Sequence, residues 1–327
     1  MTGKREVEIR EALREAIDEE MARDSLVFIL GEEVAEYNGA YKVTKGLLDK
    51  YGPGRVIDTP ITEAGFAGMA IGAAMMGLRP IVEFMSFNFS FVAFDQIVNN
   101  AFKMHYMSGD RFKVPIVFRG PNGAAARVSC QHSHNVESIY GQLPGCIIIA
   151  PSTAHDAKGL LKSAIRCDNP VLFLENELMY GRREEIPDGE FLVPIGKAKV
   201  RKAGADLTLI SHGRMLLFCE EAAGVMQKKG VDVEIIDLRT IKPLDIATIV
   251  QSVRKTKRAV IVEEGHSFAG IAAEVAMQIQ EHVFDFLDAP IGRVCQMETP
   301  LPYSPPLEAE TIPNTKRIVR KIEETMG

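Results

Sequence analysis

The chain has 327 residues and five cysteines, at 130, 146, 167, 219 and 295, with no C-x-x-C pair among them. That scatter excludes a disulfide framework or a cysteine-built zinc site and reads as reduced thiols. No block of basic residues stands out, and the net charge of -6 argues against a nucleic-acid partner. The longest uncharged apolar run, Ala64 to Leu78, is too short to span a bilayer and is rich in small residues. The N-terminal stretch MTGKREVEIREALREAIDEEMARD has no apolar core of a signal peptide, and its acidic residues argue against a transit peptide. A cytoplasmic protein without a membrane partner is expected. No strand leads into G-x-G-x-x-G, and G-x-x-x-x-G-K-[ST] and G-x-S-x-G do not occur, which argues against a dinucleotide site, a P-loop and a nucleophile elbow. His132 and His134 lie two apart but lack a clear third metal ligand.

What remains is ordinary for a globular protein: 46% hydrophobic and 25% charged residues, in a chain long enough for two domains with cores of their own. Apolar residues at helical spacing predict an amphipathic helix over residues 5 to 23. Short apolar runs then predict strands at Val27 to Leu30, Val56 to Asp58, Ile81 to Met85, Pro115 to Arg119, Cys146 to Ala150 and Val171 to Glu175. Helical stretches lie between them, among them Val43 to Tyr51, a segment reaching about Met107, and Ala154 to Arg166. Residues 181 to 205 are charged, carry prolines and read as a connection with one hairpin. The alternation then resumes with strands at Leu207 to Ser211, Val233 to Asp237, Ala259 to Glu263 and Gly292 to Cys295. Strands that are continuous apolar runs, separated by helices, indicate mostly parallel sheets covered on both faces. The expected fold is α/β in two domains, residues 1–190 and 191–327.

The stretch Asp58 to Pro80, DTPITEAGFAGMAIGAAMMGLRP, is the most unusual. Thr62 can cap the helix that follows, and Glu63 falls in its first turn, where the helix dipole favours a negative charge. Each glycine costs a helix about 1 kcal/mol relative to alanine, so the several glycines here predict a close approach to the backbone. Two readings of Glu63 stand side by side: a carboxylate that caps a helix, and a buried carboxyl with a raised pKa that shares a proton with a ligand. Phe87, Phe89 and Phe91, downstream, read as core.

Four runs occur in one order at close spacing: ITEAGFAGMAIGAA around Glu63, EFMSFNFS, RGPNGAAA followed by QHSH, and LENELMYG. Together they resemble the β subunits of the E1 component of pyruvate dehydrogenase, in the thiamine-diphosphate-dependent 2-oxo acid dehydrogenase family, over nearly the whole chain. The resemblance implies an N-terminal pyrimidine-binding domain and a transketolase-type C-terminal domain. It also implies an α2β2 heterotetramer whose α subunit holds the diphosphate and Mg²⁺ through a Gly-Asp-Gly…Asn motif, which is missing here. The implied partners are the E1 α subunit, the E2 dihydrolipoyl acetyltransferase and pyruvate. By the same resemblance Glu63 contacts N1′ of the aminopyrimidine ring and favours its imino tautomer, Phe89 packs on the ring with Met85 in the same pocket, and His132 faces the substrate. His134 has no such match. A potassium ion is implied at Ile116, Ala164, Cys167 and Asn169, held largely by backbone carbonyls. Branched-chain 2-oxo acid and acetoin dehydrogenase β subunits share the fold and the glutamate. A non-catalytic scaffold subunit is the alternative of another class, against which the intact Glu63 motif stands.

Overall fold

A computed structural model describes residues 3–327. Along the chain run β1 (Lys4–Glu8), α1 (Ile9–Arg23), β2 (Val27–Gly31), α2 (Leu47–Tyr51), β3 (Val56–Asp58), α3 (Glu63–Met75), β4 (Arg79–Glu83), α4 (Phe102–Met107), β5 (Val117–Pro121), α5 (Glu137–Gly141), β6 (Ile147–Ile149), α6 (Ala154–Arg166), β7 (Val171–Glu175) and β8 (Arg183–Pro187). They are followed by β9 (Lys199–Lys202), β10 (Leu207–Ser211), α7 (Met215–Lys228), β11 (Val233–Asp237), β12 (Thr240–Lys242), α8 (Ile246–Thr256), β13 (Ala259–His266), α9 (Ile271–Val283), β14 (Gly292–Gln296), α10 (Pro305–Thr311) and α11 (Thr315–Met326). The chain divides into two compact units, one holding the chain up to Asn122 together with Tyr140–Ile195, the other Gly123–Ile139 together with Gly196–Gly327. No helix among the described residues is long and apolar enough to cross a membrane.

In the first unit the parallel strands lie in the order β6-β7-β5-β4-β2-β3. Gly31 of β2 stands opposite Glu83 of β4, and Glu83 opposite Arg119 of β5. The chain winds outward from β2 to β3, then crosses back through α3 to β4 on the other side of β2. The order reverses between β2 and β4, which is where open α/β sheets leave a ligand crevice beyond the carboxyl ends of their strands. One face of the sheet is covered by α1 and α6, whose Leu13, Ile17, Leu160 and Leu161 are fully buried. Lys158 reaches Glu15 and Glu19 at 2.9 and 2.6 Å, and Lys162 reaches Glu19 at 2.6 Å. A ring cluster lies in the same unit, with Phe84 5.6 Å from Phe66, 5.4 Å from Phe87 and 6.1 Å from Phe118.

Several local expectations are corrected. The helix expected over residues 5 to 23 starts only at Ile9, because Lys4–Glu8 pairs antiparallel with β8 and alternates in exposure with the two-residue period of a strand. The helix expected from Val43 starts at Leu47, since Gly46 has a left-handed φ of 77° that breaks helical continuity. Residues 181 to 205 form no hairpin with themselves: β8 returns to β1, and β9 pairs antiparallel with β11.

The second unit is a sheet in the order β14-β13-β10-β11-β9, parallel except for β9. Its core joins Leu207, Leu209, Val260 and Val262 to Cys219 of α7 and to Ile318 and Ile322 of α11.

Candidate active site

Three chain segments meet the switch-point edge of the first unit's sheet. β2 ends at Gly31 and is followed at once by Glu32. β3 ends at Asp58, with Glu63 opening α3 five residues later. β4 ends at Glu83, with Met85 two residues on. Because these strands are adjacent and parallel, their carboxyl ends share one edge. Close backbone approach shapes that edge at two glycines. A Cβ on Gly31 would stand 2.4 Å from the Glu83 carbonyl oxygen, and one on Gly120 would stand 2.4 Å from that of Phe84.

Glu63 is the first residue of α3 and is buried. Thr62 occupies the position before it, but its side chain makes no capping bond, so that part of the expectation is corrected. The helix buries one stripe, Glu63, Phe66, Ala67, Ala70, Ile71 and Ala74, and exposes the other, with Met69 outward. The close approach expected at its glycines is therefore only partial. Added Cβ atoms would meet Thr62 at Gly65 and Gln96 at Gly68, but nothing at Gly72.

Glu32 is a site residue that sequence reasoning missed. Burial, and then the negative charge of Glu63, push its carboxyl above the ordinary range. Its Oε1 is buried without a hydrogen-bond partner among the described residues. The loop after it is fixed by Asp58, whose carboxylate accepts from the backbone N–H of Ala35 at 2.6 Å and of Glu36 at 3.1 Å. The available signal was a carboxylate directly after a buried strand. Met85 and Phe89 are half-buried while Phe84 and Phe87 are fully buried, so the first pair lies nearer the surface. Phe89 sits within a 3-10 turn, Phe87–Phe91, that leads towards a π-helical turn, Gln96–Ala101.

A second feature unseen in the sequence lies on the same edge. Arg119 is buried, donating from Nε to Glu175 at 2.6 Å and from its other nitrogens to Glu175 and Glu83. Tyr180 also donates to Glu175, at 2.6 Å. Burial raises the Glu83 carboxyl even though the Arg119 charge opposes it.

His132 lies in the second unit's first segment, at the end of a 3-10 turn, Cys130–His132, and is half-buried. Burial, then the charges of His266 and His132, lower the pKa of His134, so the fold brings these three imidazoles together. The RGPNGAAA run is anchored there, since the Ala124 N–H donates to Glu264. A Cβ on Gly123 would stand 2.7 Å from the same carboxylate. Of the residues expected around a potassium ion, Ile116 lies just ahead of β5, and Ala164, Cys167 and Asn169 lie at the end of α6. The Ile116, Ala164 and Cys167 carbonyls accept from the N–H of Val171, the N–H of Cys167 and the Arg79 guanidinium respectively.

Residues 5–182 match the family model for the transketolase pyrimidine binding domain, and residues 196–318 the model for the transketolase C-terminal domain. Over 319 residues the chain is 53% identical to the pyruvate dehydrogenase E1 component subunit beta of Rickettsia felis, covering 98% of each chain. The chain belongs to the family of pyruvate dehydrogenase E1 component β subunits. It is also 53% identical to the mitochondrial β subunit of Dictyostelium discoideum, over 96% of this chain and 90% of that one. With the β subunit of Rhizobium meliloti it shares 52% identity over 96% of this chain and 69% of that one. Among solved structures, a split-gene transketolase described as an inactive β4 tetramer superposes with a TM-score of 0.80 at 21% identity, over 98% of both chains, which establishes the shared fold. Within this E1 β family fold, Glu63, Glu32, Met85 and Phe89 belong to the pyrimidine-binding unit and His132 to the other unit.

Proposed function

We propose that this chain is the β subunit of a pyruvate dehydrogenase E1, working with an α subunit as an α2β2 heterotetramer. The reaction is oxidative decarboxylation of pyruvate with reductive acetylation of the lipoyl group of an E2 partner. Residues 1–190 are assigned to pyrimidine binding and 191–327 to the transketolase-type C-terminal domain. The observation that carries the reading is Glu63, buried at the sheet's switch point beside Glu32, whose Oε1 lacks a hydrogen-bond partner among the described residues. A ligand that brings a hydrogen-bond donor to this edge answers that vacancy. The aminopyrimidine of thiamine diphosphate fits it, with the half-buried Met85 and Phe89 as an apolar wall. When bound, the cofactor supplies the carbanion chemistry. Glu63 holds a proton against ring atom N1′, the neighbouring Glu32 keeps a second carboxyl close, and His132 moves a proton at the substrate. The α subunit supplies the diphosphate and Mg²⁺ contacts.

The test is pyruvate turnover by the chain assembled with its α subunit. Glu63→Gln is expected to leave assembly intact and to lower kcat by about 10²-fold or more, the usual worth of a positioned proton-transfer group. Activity within about twofold of the unsubstituted enzyme would sink the role of Glu63. A preference for 2-oxoisovalerate or acetoin over pyruvate would reassign the substrate.

A potassium ion held by the carbonyls of Ile116, Ala164, Cys167 and Asn169 is part of the same proposal. It is supported by the negative dipole end of α6 and by the second lone pair that each carbonyl retains. The melting temperature should be higher in potassium than in sodium chloride at equal ionic strength. Equal values remove the site.

A further inference from the structure

His132 sits in a segment, Gly123–Ile139, that packs with the second unit although the rest of that unit starts only at Gly196. The sequence GAAARVSCQHSHNVESI is made mostly of small and polar residues. Its regular structure is limited to the 3-10 turn Cys130–His132 and the start of α5. Arg127 and Ser129 hold left-handed φ values of 62° and 63°. Backbone of this kind keeps one conformation only where its surroundings impose it.

The turn around His132 is tied on both sides. The Ser129 hydroxyl donates to the Leu301 carbonyl at 3.1 Å, and the Ser133 hydroxyl to the Ser129 carbonyl at 2.7 Å. The Gly123 N–H donates to the His134 carbonyl at 2.9 Å and closes the segment into a loop. Glu264 of β13 stands at that closure. Its carboxylate is 6% exposed and accepts from the Ala124 N–H. Gly123 has a left-handed φ of 79°, and a Cβ on it would lie 2.7 Å from Glu264 Oε1 and 2.8 Å from Asn135 Oδ1. The missing side chain thus leaves room for the carboxylate and for Asn135 together. On its other side Glu264 has Arg214, with Nη1 4.0 Å from Oε2. Burial raises the Glu264 carboxyl, against the pull of Arg214 and of the Ala124 N–H. A carboxylate is a costly group to bury merely to fill space. Here it supplies a fixed acceptor at the point where the loop closes.

We propose that Glu264 is a positioning residue for His132: by accepting from the Ala124 N–H and occupying the space over Gly123, it fixes the backbone loop that presents the His132 imidazole. The inference rests on the role of His132 proposed above.

The first measurement is hydrogen exchange of the full-length chain, followed by mass spectrometry. Glu264→Ala should speed exchange of the backbone N–H groups in residues 123–139 by about tenfold or more, whereas Glu264→Gln, whose carbonyl oxygen still accepts from Ala124, should not. Unchanged exchange in Glu264→Ala overturns the proposal. The second is pyruvate turnover by the chain assembled with its α subunit. Glu264→Ala should lower kcat about tenfold or more while the Kd for thiamine diphosphate stays within about twofold, as expected when a reacting group is misplaced from a distance. Glu264→Gln should restore kcat. Added to His132→Gln, Glu264→Ala should cost less than about twofold more, because a residue that acts through His132 then has nothing left to position. A full further loss in that double variant, or a matching loss of cofactor affinity, overturns the proposal. So does an undiminished kcat in Glu264→Ala, and His132→Gln alone then separates the two ideas. A normal kcat there removes the role of His132 as well; a lowered one removes Glu264 only. Should Glu264→Ala not fold, Gly123→Ala disturbs the same closure by setting a Cβ 2.7 Å from the carboxylate, with the same expected and overturning results.

Discussion

Replacing Arg119 by methionine tests the buried ion cluster directly. The side chain is 1% exposed and bonds Glu175 through two nitrogens and Glu83 through a third. Methionine fills much of the same space but leaves two buried carboxylates without their cation. Breaking a buried pair in this way costs about 3–5 kcal/mol. For a unit of this size each kcal/mol moves the melting temperature by about 2–4 °C, so a drop of about 6–20 °C is expected. The loss should also depend on pH. Burial already raises the Glu83 carboxyl against the pull of Arg119, and removing the guanidinium raises it further. A carboxyl raised in the folded state gives its full stability below the unfolded pKa of about 4.3 and loses it as pH rises through the folded value. The deficit of Arg119→Met should therefore be larger at pH 8 than at pH 5. Calorimetric melts of both proteins at the two pH values read it out. A deficit below about 1 kcal/mol, or one equal at both pH values, refutes the reasoning.

Two further outcomes follow from the same edge of the sheet. Gly31→Ala places a Cβ 2.4 Å from the Glu83 carbonyl oxygen and should cost about 1–3 kcal/mol in urea unfolding; a midpoint unchanged from the parent would show that β2 and β4 can part there at no cost. Glu32→Gln removes a carboxyl that burial and Glu63 raise, so the ligand-free chain should gain stability, more at pH 8 than at pH 5. A gain that is larger at pH 5 contradicts the assigned direction.

How far the sequence reaches depends on how local each cause is. The limits of α6 are legible because Thr153 accepts from the Asp156 N–H at its start and apolar periodicity runs to its end. β1 is not, because its partner β8 lies at the far end of the unit's chain, and Val7 and Ile9 fit a helix equally well until that pairing exists. Glu63 stands out because a carboxylate opening a small-residue helix is odd within its own segment. Glu32 and Arg119 look like ordinary charges at strand ends. Their burial is set by neighbours brought in by sheet order, Glu63 across the switch point for the one and Glu83 and Glu175 on the flanking strands for the other. The aromatic run shows the same limit at finer scale. Phe87, Phe89 and Phe91 share a two-residue spacing, which in a strand would point all three to one side. A 3-10 turn instead sends Phe87 into the core and leaves Phe89 and Phe91 half-buried, so spacing alone names the cluster while the turn decides which ring is core.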